Sequence, residues 1–178
     1  RDSLECSSTL YAALVRRSDF TEDMLYAGLE SVRSDCSPLA RAFQQQLYGR
    51  IFRGEPYRDY VRGYVARTLA GEQDELLVYR KRLRRPLADY QRNVPPHVRA
   101  ARLADDYNRQ LGRGLQYQRG GWISYVMTTS GPEPLENRRA PIDYEHYLTR
   151  QLQPVADAIL PFVGDSFAAL VDHQMLLF

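Results

Sequence analysis

The chain has 178 residues, of which 44% are hydrophobic and 26% charged, and its formal net charge is +2. This length and balance predict a globular protein with a sizeable core, in one large domain or two small ones. No apolar run approaches the roughly 20 residues of a transmembrane helix, which predicts no membrane partner, and two cysteines without a disulfide framework predict a reducing cytoplasm.

The first 35 residues predict a β-hairpin. The segments TLYAALV and MLYAGLESV are apolar and aromatic, and the polar segment RRSDFTED lies between them as a turn. A domain boundary is expected near residues 35–37, where this pattern gives way to helical periodicity. The chain begins with Arg1 instead of Met, which predicts a piece of a longer protein.

Two helices are expected next. Ser37 can cap the first helix, Pro38 suits its first position, and Gly54 suits its end. Its apolar residues recur every four positions and so share one face: Leu39, Phe43, Leu47 and Ile51. The second helix is expected from about Pro56 to Gly71, with this buried set: Tyr57, Val61, Tyr64, Val65 and Leu69.

The remainder of the chain predicts short strands between helices. Two strands are expected, LLVYRKRL and WISYVMTT, with the helix PPHVRAARLADDYNRQLG between them and the loop EPLENRRAP after them. Asp143 can cap a long helix that Pro154 should kink or divide, and DSFAALVD predicts a last short helix. The predicted fold class is α+β and mostly helical.

Basic residues concentrate between Val78 and Arg102, where eight cations stand against the single anion Asp89. Arg99, Arg102, Arg109 and Arg113 are expected on one face of the third helix, with Asp106 among them. Such a stretch is often only a solvated surface, but a cationic ridge on folded structure also suits a phosphate backbone. All but one of the 24 basic residues are arginines, which fits either bidentate phosphate contacts or codon usage in a GC-rich genome.

Three stretches resemble the family B DNA polymerases, in particular their bacterial branch. The segment LVYRKRLRRPLADYQRNVPPHVRAARLADD is similar to the thumb of these enzymes. GLESVRSDCSPLARAFQQQLYGRIF resembles the link from palm to thumb, and PIDYEHYLTRQLQPVADAILPF resembles the last long helix. The order and spacing match from about Tyr26 to Phe178.

The resemblance implies an organisation and a partner. Residues 1–36 would be a hairpin derived from the palm, 37–172 the thumb, and 173–178 a flexible tail. A thumb grips the primer–template duplex through the sugar–phosphate backbone of the DNA, without reading its sequence. It adjoins the palm and fingers of the same enzyme. The implied DNA-binding residues are Arg80, Lys81, Arg82, Arg84, Arg85, Tyr90, Arg92, His97, Arg99 and Arg102.

No catalytic or metal-binding residues are expected in this chain. The family transfers nucleotides with two Mg²⁺ ions held by palm aspartates in a YGDTDS-like motif, and no such motif is present. Asp105 and Asp106 lie beside arginines on a predicted helix, where ion pairing is expected. The three histidines are far apart and predict no zinc site. The chain alone should be inactive, although the parent enzyme would require Mg²⁺.

Two departures from the family support an alternative function. Ser8, Thr9 and Leu10 stand where a basic KKRYAGL-like strand is expected, and Cys36 stands where relatives commonly have Trp. A degenerate polymerase, retained as a non-catalytic module that binds DNA and the sliding clamp, would tolerate this loss. An unrelated helical interaction domain is a third hypothesis.

Two single residues allow two interpretations each. His97 is predicted to be a structural hydrogen-bonding residue, with a phosphate contact as the alternative. Trp122 begins a strand and is predicted to lie in the core instead of serving as a platform for base stacking.

The C-terminal segment QMLLF is unusually apolar for a chain end. Bacterial family B polymerases end in a peptide of roughly Q-L-x-L-F that docks in a hydrophobic pocket of the sliding clamp. The resemblance therefore implies a clamp-binding segment of Gln174, Met175, Leu176, Leu177 and Phe178 in a cytoplasmic, nucleoid-associated protein. A tail folded onto its own domain is the alternative.

Overall fold

The computed structural model describes residues 2–6, 10–16, 22–27, 36–92 and 94–175, with side chains described within 36–92 and 94–171. The chain divides into two compact units. Leu77–Tyr144 forms one unit, and the segments before and after it form the other. No local signal in the sequence marks this division, because it depends on contacts between segments that are far apart in the chain.

The first unit begins with an antiparallel sheet of three strands: β1 (Asp2–Cys6), β2 (Leu10–Arg16) and β3 (Glu22–Ala27). β2 and β3 pair from Tyr11 opposite Ala27 to Arg16 opposite Glu22, which confirms the predicted hairpin. β1 pairs with the other edge of β2 and was not predicted.

Helix α1 (Pro38–Phe52) has the boundaries that its sequence predicts. The Ser37 hydroxyl oxygen accepts a hydrogen bond from the Ala40 backbone N–H at 3.3 Å, as an N-cap residue should. Gly54 follows the helix with φ of +68°, a conformation that glycine adopts without strain. Leu39, Phe43 and Leu47 are buried along one face, as expected.

Helix α2 (Arg58–Leu69) packs beside α1 through aromatic rings, with the centroids of Phe43 and Tyr64 5.0 Å apart. Its buried face contains Val61, Tyr64, Val65 and Thr68. Leu69 was predicted to be buried, which is wrong: it is 39% exposed. One residue along a helix turns the side chain by about 100°, so Leu69 leaves the buried stripe that Thr68 completes.

The long C-terminal helix is divided just before Pro154, where a kink or break was predicted. α4 (Tyr144–Tyr147) runs into a π-helical turn (Leu148–Leu152), and α5 (Gln153–Asp157) continues beyond it. The Gln153 N–H donates to the Leu148 carbonyl five residues earlier. Pro154 lacks an N–H and its ring would collide with the carbonyl four residues before it, so a wider turn accommodates it.

The last described element of the first unit is helix α6 (Phe167–Met175), which follows a 3₁₀ turn at Leu160–Val163. An Asp157 carboxylate oxygen accepts from the Phe167 N–H at 3.0 Å. The Arg62 side chain of α2 donates to the Leu170 carbonyl at 3.2 Å, which attaches α6 to α2. The helix extends three residues beyond the DSFAALVD segment in which it was predicted.

The second unit is a helix on a sheet. Strands β4 (Tyr79–Leu83), β5 (Gly121–Thr128) and β6 (Gly131–Pro134) form an antiparallel sheet in that order, and α3 (Pro96–Gln110) lies against all three. The buried face of α3 is built of Val98, Ala100, Ala101 and Ala104, small residues that let the helix approach closely. β4, α3 and β5 were predicted, whereas the start of the predicted loop EPLENRRAP belongs to β6.

Both units combine helices with a small antiparallel sheet. The mixture of helices and small antiparallel sheets confirms the predicted α+β class. Within the described part of the chain, no helix has both the length and the apolar character needed to cross a membrane.

Candidate nucleic-acid interface

Strand β4 presents two arginines to solvent. Its side chains alternate, so that Tyr79 and Leu83 are buried while Arg80 and Arg82 are exposed. The buried Tyr79 ring stacks on Tyr125 of β5, with centroids 5.2 Å apart. The strand is thus fixed by its apolar face, and its guanidinium groups are displayed on a rigid element.

The loop after β4 displays Arg84 and Arg85 and is held by the buried Tyr90. The Arg84 backbone N–H donates to the Tyr90 hydroxyl at 3.2 Å, and the Arg85 guanidinium lies 4.9 Å from the centroid of the same ring. Gly120 closes against the start of this loop. A Cβ at Gly120, where φ is +94°, would lie 2.8 Å from the Leu83 carbonyl oxygen.

Arg102 helps to build this loop. Its Nη2 donates to the Tyr90 carbonyl at 2.6 Å and lies 3.5 Å from the Leu87 carbonyl, and the side chain is half-buried. Arg102 therefore joins α3 to the loop that carries Arg84 and Arg85. Its predicted contact with DNA stays a prediction.

The face of α3 carries less free charge than predicted. Arg109 donates to the Asp106 carboxylate at 2.7 Å, so this pair partly neutralises itself. Arg113 was predicted on the helix, which is wrong, because α3 ends at Gln110 and Gly112 turns the chain with φ of +68°. Arg99 remains exposed and lies next to the β5–β6 turn. A Cβ added to Gly131 beside that turn would be 3.2 Å from the Nη2 atom of Arg99.

The remaining cations are accessible. Within the part of the chain that the structure describes, no ion pair engages these exposed arginines: Arg82, Arg84, Arg85, Arg92 and Arg99. Lys81 is half-buried on the opposite face of β4 from Arg80 and Arg82. The predicted ridge is therefore concentrated on β4, its following loop and the start of α3.

His97 contributes little positive charge to this surface. It is half-buried, and its ring meets the Tyr90 ring edge-on at 6.5 Å. Burial, followed by the nearby Lys81 ammonium, lowers the pKa of His97. Histidine is therefore mostly neutral here at pH 7, which suits a hydrogen-bonding role.

Formal charge is strongly divided between the two units. Leu77–Tyr144 contains thirteen Arg and Lys against six Asp and Glu, a charge of +7. The rest of the chain contains eleven against sixteen, a charge of −5. The overall value of +2 conceals this difference, so the composition of the whole chain understates how basic the second unit is.

Asp105 and Asp106 differ sharply although they are adjacent. Asp105 is 2% exposed and accepts hydrogen bonds from the backbone N–H groups of Gln116 and Tyr117 at 2.7 and 3.1 Å, and from the Gln118 amide at 2.8 Å. The ion pairing predicted for this couple applies to Asp106 and not to Asp105. Asp105 instead fixes the turn that precedes β5.

These carboxylates do not fit a two-metal site. The oxygens of Asp105 are directed at N–H donors, and Asp106 pairs with Arg109. Within residues whose side chains are described, no three His, Cys, Asp or Glu converge as metal ligands. No step of a metal-dependent reaction is assigned to this chain.

Trp122 was predicted to be a core residue, which is wrong. It is 56% exposed on β5, directly opposite Arg82 of β4. The period of two along the strand could have revealed this, because burial of Ile123 and Tyr125 places Trp122 and Ser124 on the other face.

The predicted clamp-binding segment is only partly described. Gln174 and Met175 form the end of α6, whereas Leu176, Leu177 and Phe178 lie outside the described residues. Ser8 and Thr9 of the proposed departure from the family also lie outside them, and Leu10 begins β2.

The second unit carries a basic surface on β4, the loop after it and the start of α3, and similarity to known proteins identifies the family of the chain. No protein-family model matches the chain. The chain is 62% identical over 172 residues to DNA polymerase II of Escherichia coli, across 97% of this chain and 22% of that protein. It is 32% identical over 149 residues to DNA polymerase 2 of Aeropyrum pernix, across 77% of this chain and 18% of that protein.

A solved structure has the same fold. The family B DNA polymerase from Pyrobaculum calidifontis superposes with a TM-score of 0.65 at 22% identity, over 88% of this chain and 21% of that one. The chain belongs to the family B DNA polymerases and is similar to bacterial DNA polymerase II. It spans about a fifth of the length of these relatives.

Proposed function

We propose that this chain is the C-terminal thumb region of a DNA polymerase II-like enzyme, and that it grips primer–template duplex through the sugar–phosphate backbone. The observation that carries this proposal is the charge of +7 on residues 77–144, with exposed arginines on β4 and the loop after it. Rigid guanidinium groups suit phosphates, and backbone contacts hold a duplex irrespective of its sequence.

The parent enzyme would perform template-directed nucleotidyl transfer in the bacterial cytoplasm, in association with the nucleoid, during DNA replication or repair. Aspartates of its palm would hold the two Mg²⁺ ions. The identity of 62% to E. coli DNA polymerase II supports an active parent. The segment Ser8-Thr9-Leu10 supports the alternative of a degenerate, non-catalytic module. The palm aspartates encoded upstream separate the two hypotheses.

A salt titration tests the duplex grip. For the 178-residue chain, the slope of log K against log salt should be about −0.9 for each phosphate neutralised. Changing Arg84, Arg85 and Arg99 to Ala should flatten the slope by about 2 to 3 units if all three contact phosphates. Fluorescence anisotropy of a labelled duplex measures the slope for the wild-type chain and for the triple variant.

A charge-matched variant provides the control. Arg53, Arg67 and Arg150 are exposed arginines of the other unit, and their change to Ala removes the same three charges. That variant should keep the wild-type slope. Equal flattening in both triple variants would show that only net charge matters, and an unchanged slope in the first would show that its arginines face solvent.

We also propose that Gln174–Phe178 docks on the bacterial sliding clamp. Leu177 and Phe178 can each contribute roughly 1.5–3 kcal/mol when buried in a pocket, while Gln174 can hydrogen-bond at its mouth. After the cost of ordering the segment, a dissociation constant near micromolar is expected. Since α6 extends through Met175, the helix end would have to unwind for all five residues to engage.

Deletion of Gln174–Phe178 tests clamp docking. Binding of the clamp should be lost, while duplex affinity and melting temperature should stay at wild-type values. A synthetic peptide of the five residues should compete with the full chain for the clamp. A large fall in melting temperature without loss of clamp binding would instead show that the segment belongs to its own domain.

A further inference from the structure

Trp122 is the most exposed aromatic feature of the second unit, and one side of it is already covered. The Arg80 guanidinium lies 5.1 Å from the centroid of the indole, within the range of a cation–π contact. A side chain this large is usually buried, and its exposed fraction of 56% therefore needs an explanation. We propose that Trp122, Arg80 and the adjoining cavity form a subsite for one unpaired nucleobase of a DNA strand.

The sheet places the required groups on one face. Arg82 is directly opposite Trp122 across the β4–β5 ladder, and Arg80 is opposite Ser124. Residues that face each other across antiparallel strands project to the same side of the sheet. Two guanidinium groups thus flank the indole, at positions where they can contact the phosphates on either side of a stacked base.

The cavity beside Trp122 has the size and polarity of a site for a single ring system. Its volume is about 250 Å³, below the roughly 300–1,000 Å³ of sites that enclose drug-sized ligands. The residues that line it include the polar Asn108, Arg113, Gln116, Ser124, Glu136 and Asn137. Amides both donate and accept hydrogen bonds, so this wall can pair with the edge of a base.

The cavity wall is fixed by buried hydrogen bonds. Asp105 accepts from the backbone N–H groups of Gln116 and Tyr117, which line the cavity. On the opposite side, the buried Pro134 of β6 leads into a 3₁₀ turn at Leu135–Asn137. A subsite built on a strand, a buried carboxylate and a short helix keeps its shape without a ligand.

The chemistry favours an unpaired base over a paired one. In a duplex, both faces of a base are stacked and its Watson–Crick edge is already used. A single-stranded base has a free Watson–Crick edge, and little stacking energy is lost when it leaves its neighbours. Aromatic stacking accepts any base, so the subsite would hold a strand near the duplex without selecting its sequence.

The inference rests on the proposed binding of DNA by this unit but is tested separately. Trp122 is the only tryptophan of the chain, so its fluorescence reports on this site alone when excited at the red edge of its absorption. The 178-residue chain is titrated with an oligothymidylate and with an abasic oligomer that has the same length and phosphate charge. Both titrations use the same salt concentration.

The oligothymidylate should quench the fluorescence of Trp122. It should bind about 5- to 150-fold more tightly than the abasic strand, which is the range that stacking of one base gives. Trp122→Leu, which keeps an apolar side chain, should abolish the preference for thymidylate in an anisotropy assay, whereas Trp122→Phe should retain part of it. Affinity for a blunt duplex should be the same in all three proteins.

The outcomes distinguish the two proposals. Equal affinity for thymidylate and abasic strands, together with wild-type binding of duplex, would overturn the nucleobase subsite and leave the duplex grip standing. A base-dependent preference that Trp122→Leu removes, with no binding of duplex, would support the subsite and overturn the duplex grip. Quenching by the abasic strand to the same extent would show that Trp122 only lies beside a phosphate path.

Discussion

Replacement of Asp105 by Ala should destabilise the chain far more than replacement of its neighbour Asp106. Asp105 is buried and accepts from two backbone N–H groups, those of Gln116 and Tyr117, and from the exposed Gln118 side chain. Each backbone donor left without a partner costs about 1–3 kcal/mol. Gln118 can turn to water, and removal of a buried charge offsets part of the loss.

We therefore expect Asp105→Ala to lower the free energy of unfolding by about 3 kcal/mol. For a chain of this length, that corresponds to a fall in melting temperature of about 6–12 °C. Asp106→Ala removes an ion pair whose side chains are 57% and 63% exposed, so it should cost less than about 1 kcal/mol. Asp105→Asn keeps the volume of the side chain and one acceptor oxygen, so its loss in free energy of unfolding should lie between those of the two Ala variants.

Urea denaturation followed by Trp122 fluorescence measures these differences, because Trp122 and Asp105 belong to the same unit. Circular dichroism at rising temperature gives the melting temperatures. Equal destabilisation by Asp105→Ala and Asp106→Ala would refute the reasoning, since it would mean that the buried hydrogen bonds contribute no more than an exposed ion pair.

Gly120, Asp165 and the carboxylate pair Asp105 and Asp106 each allow a further test. Gly120→Ala should destabilise by about 1–3 kcal/mol more than Gly112→Ala, because both have positive φ but only Gly120 would bring a Cβ within 2.8 Å of a carbonyl oxygen; urea midpoints test this. The Tyr57 hydroxyl, and then Arg58, lower the pKa of Asp165, so the stability that Asp165 contributes is present at neutral pH and is lost as pH falls below about 4. The difference between wild type and Asp165→Asn in urea should shrink accordingly, and a constant difference would contradict it. The chain alone should extend no primer with Mg²⁺ and nucleotides, because Asp105 and Asp106 are engaged elsewhere; extension by the purified chain would disprove this.

Local sequence signals were sufficient for several elements. The boundaries of α1 and α3 follow from Ser37, from prolines at the first positions and from glycines after the last turn. These residues act through their own backbone geometry, so their effect does not depend on the rest of the fold. The basic stretch was recognised from its density of cations alone, and the alternation of strand β4 then exposes Arg80 and Arg82 while Lys81 is half-buried.

Features that depend on residues far apart in the chain could not be predicted from local sequence signals. β6 has two prolines in four residues, which argue against a strand, but it lies at the edge of its sheet, where fewer N–H groups are needed. The role of Asp105 depends on donors more than ten residues later in the chain. Trp122 was assigned to the core by residue type, although the burial of Ile123 and Tyr125 decides its side of the strand.

The π-helical turn before Pro154 bears on how the length of this chain could change during evolution. A hydrogen bond from Gln153 to Leu148 encloses one residue more than an α-helical bond does. A relative that lacks one residue between positions 148 and 152, and has no proline at 154, could close the same segment as an uninterrupted α-helix. Tyr147 and Val155, buried on either side, would then keep their places in the core. Among the described helices, this segment is where deletion of a single residue, made together with replacement of Pro154, should be best tolerated.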